Sequence, residues 1–228
     1  MILRDAGAVR AHDAAAKLRG FGPLGLLAIV GIFAGSMAGP PVGALLVLLW
    51  AKLSETPRNA LGFAAPRNPT ATLVGGVAFG IVFKLVMKAL VMPLLGAPPV
   101  NARYHYLAGD SAALPGAIVA VLLGAAFGEE VFFRCYLFER LGALLGRGRA
   151  ALTVTVLTTA VLFAVAHYRD QGVPGVEQAA VTGLVFGGIF AWRRRIWFVM
   201  IAHAAFDLAA VALIYWSWEG RVAQLFLR

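Results

Sequence analysis

Long apolar runs, separated by short polar stretches, cover most of this chain. A mixed, basic segment over 1–20 precedes the first apolar block at 21–51. Five further blocks follow at about 70–95, 113–138, 150–168, 176–192 and 196–216. About 20 apolar residues is the length that a helix needs to cross the hydrocarbon core of a membrane. The pattern therefore predicts an all-α fold, a polytopic membrane protein built as a helical bundle.

The first apolar block decides the number of spans, because Gly39, Pro40 and Pro41 interrupt it. Proline cannot continue the interior of a helix. The block is therefore either a hairpin of two short spans or one long bent span. The hairpin gives about seven transmembrane helices and the bent span gives six; we expect seven, because the hairpin places every basic segment on one side.

Basic residues are concentrated in alternate loops. They are Lys52, Arg58 and Arg67 in one loop, Arg140, Arg147 and Arg149 in a second, and Arg193, Arg194 and Arg195 in a third. The intervening loops, 96–112 and 169–175, carry one basic and one acidic residue each. By the positive-inside rule the basic loops and the N-terminal tail are cytoplasmic and the C-terminus lies outside. Arginine outnumbers lysine, and Ala and Gly abound, so we expect a multi-pass protein of a bacterial inner membrane.

Composition supports a membrane protein and excludes other classes. Hydrophobic residues make up 61% of the 228 residues and charged residues only 14%, and the mean hydropathy is +0.81. A soluble domain has about 25% charged residues. Cys135 is the single cysteine, which excludes an intrachain disulfide. The net charge of +9 is explained by the basic loops of the positive-inside rule, so we expect no nucleic-acid partner. The expected partners are membrane lipids and a membrane-associated protein or peptide substrate.

Four predicted spans carry ionisable residues, which are costly in a bilayer and mark a functional site by default. They are Lys84 and Lys88, then Glu129, Glu130 and Arg134, then His167, and finally His203 and Asp207. Glu130 and Arg134 are four residues apart and can pair on one helix face. Glu129 lies about 100° further round the helix, without such a partner. Lys84 and Lys88 are expected to snorkel towards the outer face, with an anion site as the alternative.

Two histidines and a free carboxylate on separate helices can form a water-activating site. A buried carboxylate can act first as general base and then as general acid. The two imidazoles, together with Asp207, can stabilise an oxyanion or hold a metal ion. The residues alone leave three alternatives open: a structural Glu130–Arg134 pair, an interhelical hydrogen bond from His167, and a transporter relay through Lys84 and Lys88.

The order of the motifs resembles the CPBP (Abi) family of intramembrane proteases, which contains type II CAAX prenyl endopeptidases and bacteriocin-processing or immunity proteins. The motifs are Glu129-Glu130-Val131-Phe132-Phe133-Arg134, Phe163 to His167, and His203 to Asp207. The resemblance covers residues 113–216. The chain then divides into a cytoplasmic N-terminal segment (1–20), N-terminal transmembrane helices and loops (21–112), a CPBP-like catalytic core (113–216) and a C-terminal tail (217–228).

The resemblance implies an intramembrane endopeptidase that hydrolyses a peptide bond in a membrane-associated protein or peptide. Glu129 would activate water and His167 and His203 would complete the site, with Glu130, Arg134 and Phe163 in support. Position 207 is often Asn in the prenyl proteases, and an ionised Asp cannot donate to an oxyanion. Asp207 is therefore protonated, orients His203, or binds a metal.

The resemblance implies one of two mechanisms, a glutamate-only mechanism or that of a metalloprotease. In the second case the candidate cofactor is zinc or another divalent metal, bound by His167, His203 and Asp207. The alternative function is a non-catalytic immunity or partner-binding membrane protein on the same fold.

Helix length raises one difficulty for this site. Counting about 1.5 Å per residue, Glu129 lies about 16 Å before Arg140, whereas His167 lies about 27 Å beyond Arg149. A straight fifth span would therefore hold His167 far from the other groups. We nevertheless predict that Glu129, His167 and His203 converge, and we expect the substrate to arrive from the cytoplasmic half.

Overall fold

The computed structural model describes residues 12–226, and all regular secondary structure in that range is helical. The helices are α1 (His12–Arg19), α2 (Pro23–Ala38), α3 (Pro40–Leu53), α4 (Pro69–Leu94), α5 (Leu114–Leu145), α6 (Arg149–Ala166), α7 (Tyr168–Arg193), α8 (Trp197–Tyr215) and α9 (Glu219–Ala223). A short 3₁₀ turn over His105–Leu107 lies in the loop between α4 and α5. The predicted all-α fold is confirmed. Arg4 and Arg10 of the predicted cytoplasmic tail lie outside the described residues.

Five helices, α4 to α8, are long and apolar enough to cross a membrane. Helices α1 and α2 meet at a bend of 60° and count as a sixth candidate only if they are taken together. Helices α2 and α3 have 16 and 14 residues, fewer than the roughly 20 that a spanning helix needs. The chain is thus a multi-pass membrane protein with five candidate spans among residues 12–226, and the predicted number of about seven is not confirmed.

The first apolar block forms a helical hairpin. Helix α3 begins at Pro40, where the missing backbone N–H leaves no intrahelical bond unmade. Helices α2 and α3 lie against each other, with Gly43 so close to Ser36 that a Cβ would come within 2.8 Å of the Ser36 Cα. The hairpin in turn packs on α5, where Gly128 contacts Pro40.

Helices α4 and α8 form the most extensive helix pair of the bundle. Their close approach depends on glycine: a Cβ on Gly80 would lie 2.8 Å from the Ala205 Cβ and would also clash with the backbone carbonyl of Ala202. Lys84 lies one turn further along the same face of α4. It is therefore directed towards α8 and the protein interior.

Two local departures from regular α-helix lie near the polar motif positions of the sequence. The middle of α5 winds as a π-helix over Ala120–Glu129 and again over Val131–Tyr136. Such segments are rare and often occur at functional sites. Helix α7 contains a break at Gly172 (φ 62°, ψ −158°), so the predicted loop over 169–175 is instead the kinked start of this helix.

Candidate active site

A cavity of about 880 Å³ lies inside the bundle and collects the polar motif residues. Its wall includes Glu129 from α5, His167 from the α6–α7 junction, and His203 and Asp207 from α8. Phe163 lines the same cavity. Three motifs that are separated in the chain therefore reach one solvent-accessible space.

The helix boundaries explain why His167 lies at the same depth as Glu129. Helix α5 does not end near Arg140 but continues to Leu145. Glu129 then lies about 24 Å before the end of α5 and His167 about 27 Å after the start of α6, so both occupy the same level of two antiparallel helices. Arg140 is correspondingly not in a cytoplasmic loop: it is buried in α5, where its guanidinium lies 4.6 Å from the Trp50 ring.

Glu130 is the centre of a buried charge cluster. Its side chain is fully buried, and its Oε1 accepts hydrogen bonds from Arg134 Nη1 at 2.9 Å and from His203 Nδ1 at 2.7 Å. The Arg134 guanidinium also lies 4.5 Å from the Phe163 ring. The predicted i,i+4 pair of Glu130 and Arg134 is thus present, and it extends to a third group on α8.

Glu129 faces the cavity and makes no hydrogen bond within the described part of the chain. Its side chain is 18% exposed, and its Oε2 lies 3.9 Å from His203 Nε2. That oxygen is buried and has no hydrogen-bond partner among residues 12–226. A carboxylate with free lone pairs at the edge of a cavity can accept a proton from a water molecule.

His203 is held between three carboxylates. Its Nδ1–H donates to Glu130, so its Nε2 is left for Asp207 Oδ2 at 3.4 Å and Glu129 Oε2 at 3.9 Å. The imidazole also lies 5.2 Å from the Phe186 ring, which restricts its movement. Of the three alternatives for Asp207, this geometry favours orientation of His203.

His167 is fixed by its own helix. Its Nδ1–H donates to the Phe163 carbonyl oxygen at 2.8 Å, because a carbonyl can only accept. In the neutral ring Nε2 then carries the free lone pair. Phe163 lies 4.5 Å from the His167 ring and 6.1 Å from the His203 ring, so one buried aromatic side chain separates and positions both imidazoles.

The predicted metal-ligand set, His167, His203 and Asp207, lines one cavity. Across residues 12–226, no group of three or more His, Cys, Asp or Glu side chains is placed to hold one. One nitrogen of each imidazole is held by a hydrogen bond, that of His203 by Glu130 and that of His167 by the Phe163 carbonyl, which leaves Nε2 of each ring as the remaining nitrogen for a ligand. The assignment of His167, His203 and Asp207 as metal ligands stays a prediction.

The two lysines of α4 do not snorkel to the membrane surface, contrary to the expectation. Lys84 is buried, lines the cavity, and donates to Gln178 Oε1 at 2.9 Å. Lys88 pairs with Glu219 Oε1 at 3.1 Å, and Glu219 also accepts from the backbone N–H of Asn101. The glycine face of α4 explains the error, since it brings these side chains against α8 and α9.

The sequence pattern did not reveal several further polar residues of the cavity wall, among them Gln178 and Tyr104. Gln178 lies in an apolar block that predicts a span, although a lone amide in such a block is itself a signal. Tyr104 comes from the α4–α5 loop, and its hydroxyl accepts from Gln171 Nε2 at 3.3 Å. Burial raises the pKa of the Tyr104 hydroxyl, so this group stays neutral at neutral pH.

The cavity is lined at one end by the α4–α5 loop, including Asn101 and Tyr104, and by Glu219 of α9. This end is opposite the α5–α6 turn, which carries Arg147 and Arg149. The cavity lining thus reaches the end of the bundle opposite the basic loops. Substrate arrival from the half nearer to the basic loops stays a prediction.

Comparison with known proteins agrees with the motifs. Residues 111–209 match the family model described as type II CAAX prenyl endopeptidase Rce1-like, and this segment contains all three motifs. No curated protein and no solved structure matches the chain. The match supports a peptidase at the level of the family and does not test the role of any residue. The resemblance is thereby confirmed for residues 111–209, which are similar to the type II CAAX prenyl endopeptidase Rce1-like family.

Proposed function

We propose that the protein is an intramembrane endopeptidase in which Glu129 activates the attacking water. The observation that carries the proposal is the difference between two adjacent carboxylates. Glu130 is fully buried and committed to Arg134 and His203, whereas Glu129 faces the cavity with an unpartnered oxygen 3.9 Å from His203 Nε2. The family match over 111–209 supports a peptidase.

In the proposed reaction Glu129 takes a proton from a water molecule, whose oxygen attacks the scissile carbonyl carbon. The carbonyl oxygen becomes an oxyanion as the tetrahedral intermediate forms. The protonated Glu129 then gives its proton to the leaving nitrogen, and the C–N bond breaks. The products are a carboxylic acid and an amine, which exchange a proton to become a carboxylate and an ammonium group, and Glu129 is again ionised.

His203 is proposed to stabilise the oxyanion through Nε2–H when the ring is protonated. Glu130 holds Nδ1–H at 2.7 Å and fixes the ring, while Asp207 at 3.4 Å favours a proton on Nε2. Preorganised donors of this kind supply much of the rate enhancement in acyl transfer. Asp207 is thus a positioning residue for His203 and not an oxyanion donor.

His167 is proposed to complete the site from the opposite side of Phe163. With Nδ1–H held by the Phe163 carbonyl, its Nε2 can accept a hydrogen bond from the attacking water. Both imidazoles and Glu129 line the same cavity, which is the arrangement that this role requires.

The proposal is tested by comparing the terminal peptides of membrane proteins in cells that express the wild type or Glu129→Gln. We expect specific new termini with the wild type, and their loss in the variant at an equal amount of inserted protein. Glu177→Gln is the matched control, because it makes the same chemical change on α7 at a residue that does not line the cavity. It should retain the wild-type set of termini.

Two outcomes would contradict the proposal. If Glu129→Gln keeps the wild-type termini, Glu129 does not activate water. If wild type and variant both produce no specific termini while the protein is expressed and inserted, the non-catalytic immunity or partner-binding function becomes the better account.

A further inference from the structure

Lys84 is a buried cation that the proposed chemistry does not use. Its side chain is 7% exposed and lines the cavity, and it lies outside the segment that matches the family. Within residues 12–226, its hydrogen-bond acceptor is the neutral Gln178, and no carboxylate lies within ion-pair distance of Nζ. A buried charge without a counter-ion is unfavourable, particularly in a membrane.

Lys88, four residues further along α4, provides a direct contrast. It also lines the cavity, but its ammonium group has a carboxylate partner in Glu219. The charge on Lys88 is therefore neutralised inside the protein. Of the two lysines on this wall, Lys84 alone has no carboxylate within ion-pair distance in the described structure, and the charges of Asp207 and Glu219 act on it from further away.

The Lys84–Gln178 pair presents hydrogen-bond donors to the cavity. The Gln178 carbonyl oxygen accepts one N–H of Lys84, which leaves the amide NH₂ of Gln178 and the remaining N–H groups of Lys84. A pair that offers donors and a positive charge matches a group that only accepts and is negative. A carboxylate is such a group, and its hydrogen bonds to an ammonium are charge-assisted.

The pair adjoins the proposed catalytic groups. The Lys84 ammonium lies 4.7 Å from the Phe206 ring, and Phe206 directly precedes Asp207 on α8. The Phe206 ring lies 6.3 Å from Phe186, which is in turn 5.2 Å from His203. A substrate chain held at Glu129 can therefore extend along this aromatic wall to Lys84.

We propose that Lys84, with Gln178, binds a carboxylate of the peptide substrate and so selects substrates that carry one near the scissile bond. The inference rests on the proposed function, because only a peptidase would cleave the bound peptide. Binding of the carboxylate can nevertheless be tested without cleavage. The carboxylate has two possible sources, the C-terminus of the peptide or an acidic side chain, and the test separates them.

The test uses three pooled sets of N-acetylated apolar decapeptides with the full-length protein in lipid nanodiscs. One set ends in a free carboxylate, the second in an amide, and the third in an amide with one internal glutamate. Cleavage is measured with the wild type, and binding is measured with Glu129→Gln, which keeps the cavity but removes the proposed base. We expect one carboxylate set to be preferred over the plain amide set by about ten-fold or more.

The variants assign this preference to Lys84. Lys84→Met keeps the length of the side chain and should abolish the preference, whereas Lys84→Arg should retain it. Lys88→Met is the matched control, and the ratio between the sets should stay as in the wild type. Preference for the first set identifies the C-terminus as the source, and preference for the third identifies an acidic side chain.

The inference is overturned if no carboxylate set is preferred in cleavage or binding, or if Lys84→Met keeps the preference. It is also overturned if Lys88→Met abolishes the preference as fully as Lys84→Met does. Cleavage of all three sets alike leaves the peptidase proposal intact and removes this one. Lys84-dependent binding without any cleavage by the wild type supports the carboxylate site and contradicts the peptidase proposal.

Discussion

Glu129 and Glu130 are adjacent in the chain, yet their carboxylates have different surroundings. The i,i+4 spacing to Arg134 was sufficient to predict which carboxylate would be paired, because it depends only on helix geometry. The third member of the cluster, His203, lies 73 positions away and binds Glu130 through tertiary packing. No local pattern could have shown that contact.

Replacement of Glu130 should lower stability more than replacement of Glu129. Glu130→Gln leaves the Arg134 guanidinium buried without its counter-ion, and loss of one partner of a buried pair costs about 3–5 kcal/mol. Glu129→Gln breaks no hydrogen bond within the described residues and should unfold near the wild-type temperature. Thermal unfolding of the two purified variants in detergent micelles measures the difference.

The double variant Glu130→Gln/Arg134→Met provides the control for this prediction. It removes the orphaned charge together with its partner, so it should recover part of the stability lost in Glu130→Gln. If the effects of Glu130→Gln and of Arg134→Met on the free energy of unfolding simply add in the double variant, the unpaired Arg134 is not the cause of the lost stability. Equal unfolding temperatures of the Glu129→Gln and Glu130→Gln variants would contradict the structural role given to Glu130.

At the scale of helices, α5 is the element that sequence reasoning described least well. Its length was underestimated, since the predicted block ended at 138, and its π-helical winding was not predicted at all. Hydrophobic periodicity marks where a helix lies, but it does not specify hydrogen bonding within the helix. The π-helical segment packs against α3 and α8, and the sequence alone does not reveal these contacts.

The glycines of α5 give a matched test of that packing. A Cβ at Gly128 would lie 2.6 Å from the backbone of Pro40, whereas a Cβ at Gly124 would meet no atom within 4 Å. Gly128→Ala should push α3 away from α5, lower the free energy of unfolding by about 1–3 kcal/mol, and displace the adjacent Glu129. Gly124→Ala should leave stability unchanged or slightly raised, because alanine favours helix.

Unfolding and peptide cleavage, measured together on both variants, check the prediction. Activity should fall in Gly128→Ala even at temperatures where the protein is fully folded, because Glu129 follows it directly. Equal stability and equal activity of the two alanine variants would show that the α3–α5 contact does not position the base.

Helix α4 shows why a residue pattern can be interpreted wrongly even when its element is predicted correctly. The block at 70–95 was identified as a span, and the structure gives Pro69–Leu94. Lys84 and Lys88 were nevertheless expected to snorkel, which is the ordinary behaviour of lysine near a helix end. The spacing of Gly76, Gly80 and Lys84 indicates one face, but only the packing against α8 shows that this face is buried.

For the whole molecule, charge distribution and cavity geometry together predict which side of the membrane the site faces. Loops rich in arginine follow α3, α5 and α7, whereas the loop after α4 and the segment after α8 form the opposite end. The cavity is lined at that opposite end by Asn101, Tyr104 and Glu219. If the positive-inside rule holds, the cavity faces the outer side of the membrane and not the cytoplasm.

Single-cysteine labelling tests this orientation without knowledge of a substrate. Cys135 is the one native cysteine and is fully buried, so it should not react with a membrane-impermeant maleimide in the folded protein. Ser111→Cys, in the exposed α4–α5 loop, should be labelled in intact cells. Ala150→Cys, exposed at the start of α6, should be labelled only after the membrane is permeabilised. The reverse pattern would place the cavity on the cytoplasmic side, and peptides would then have to reach Glu129 from within the cell.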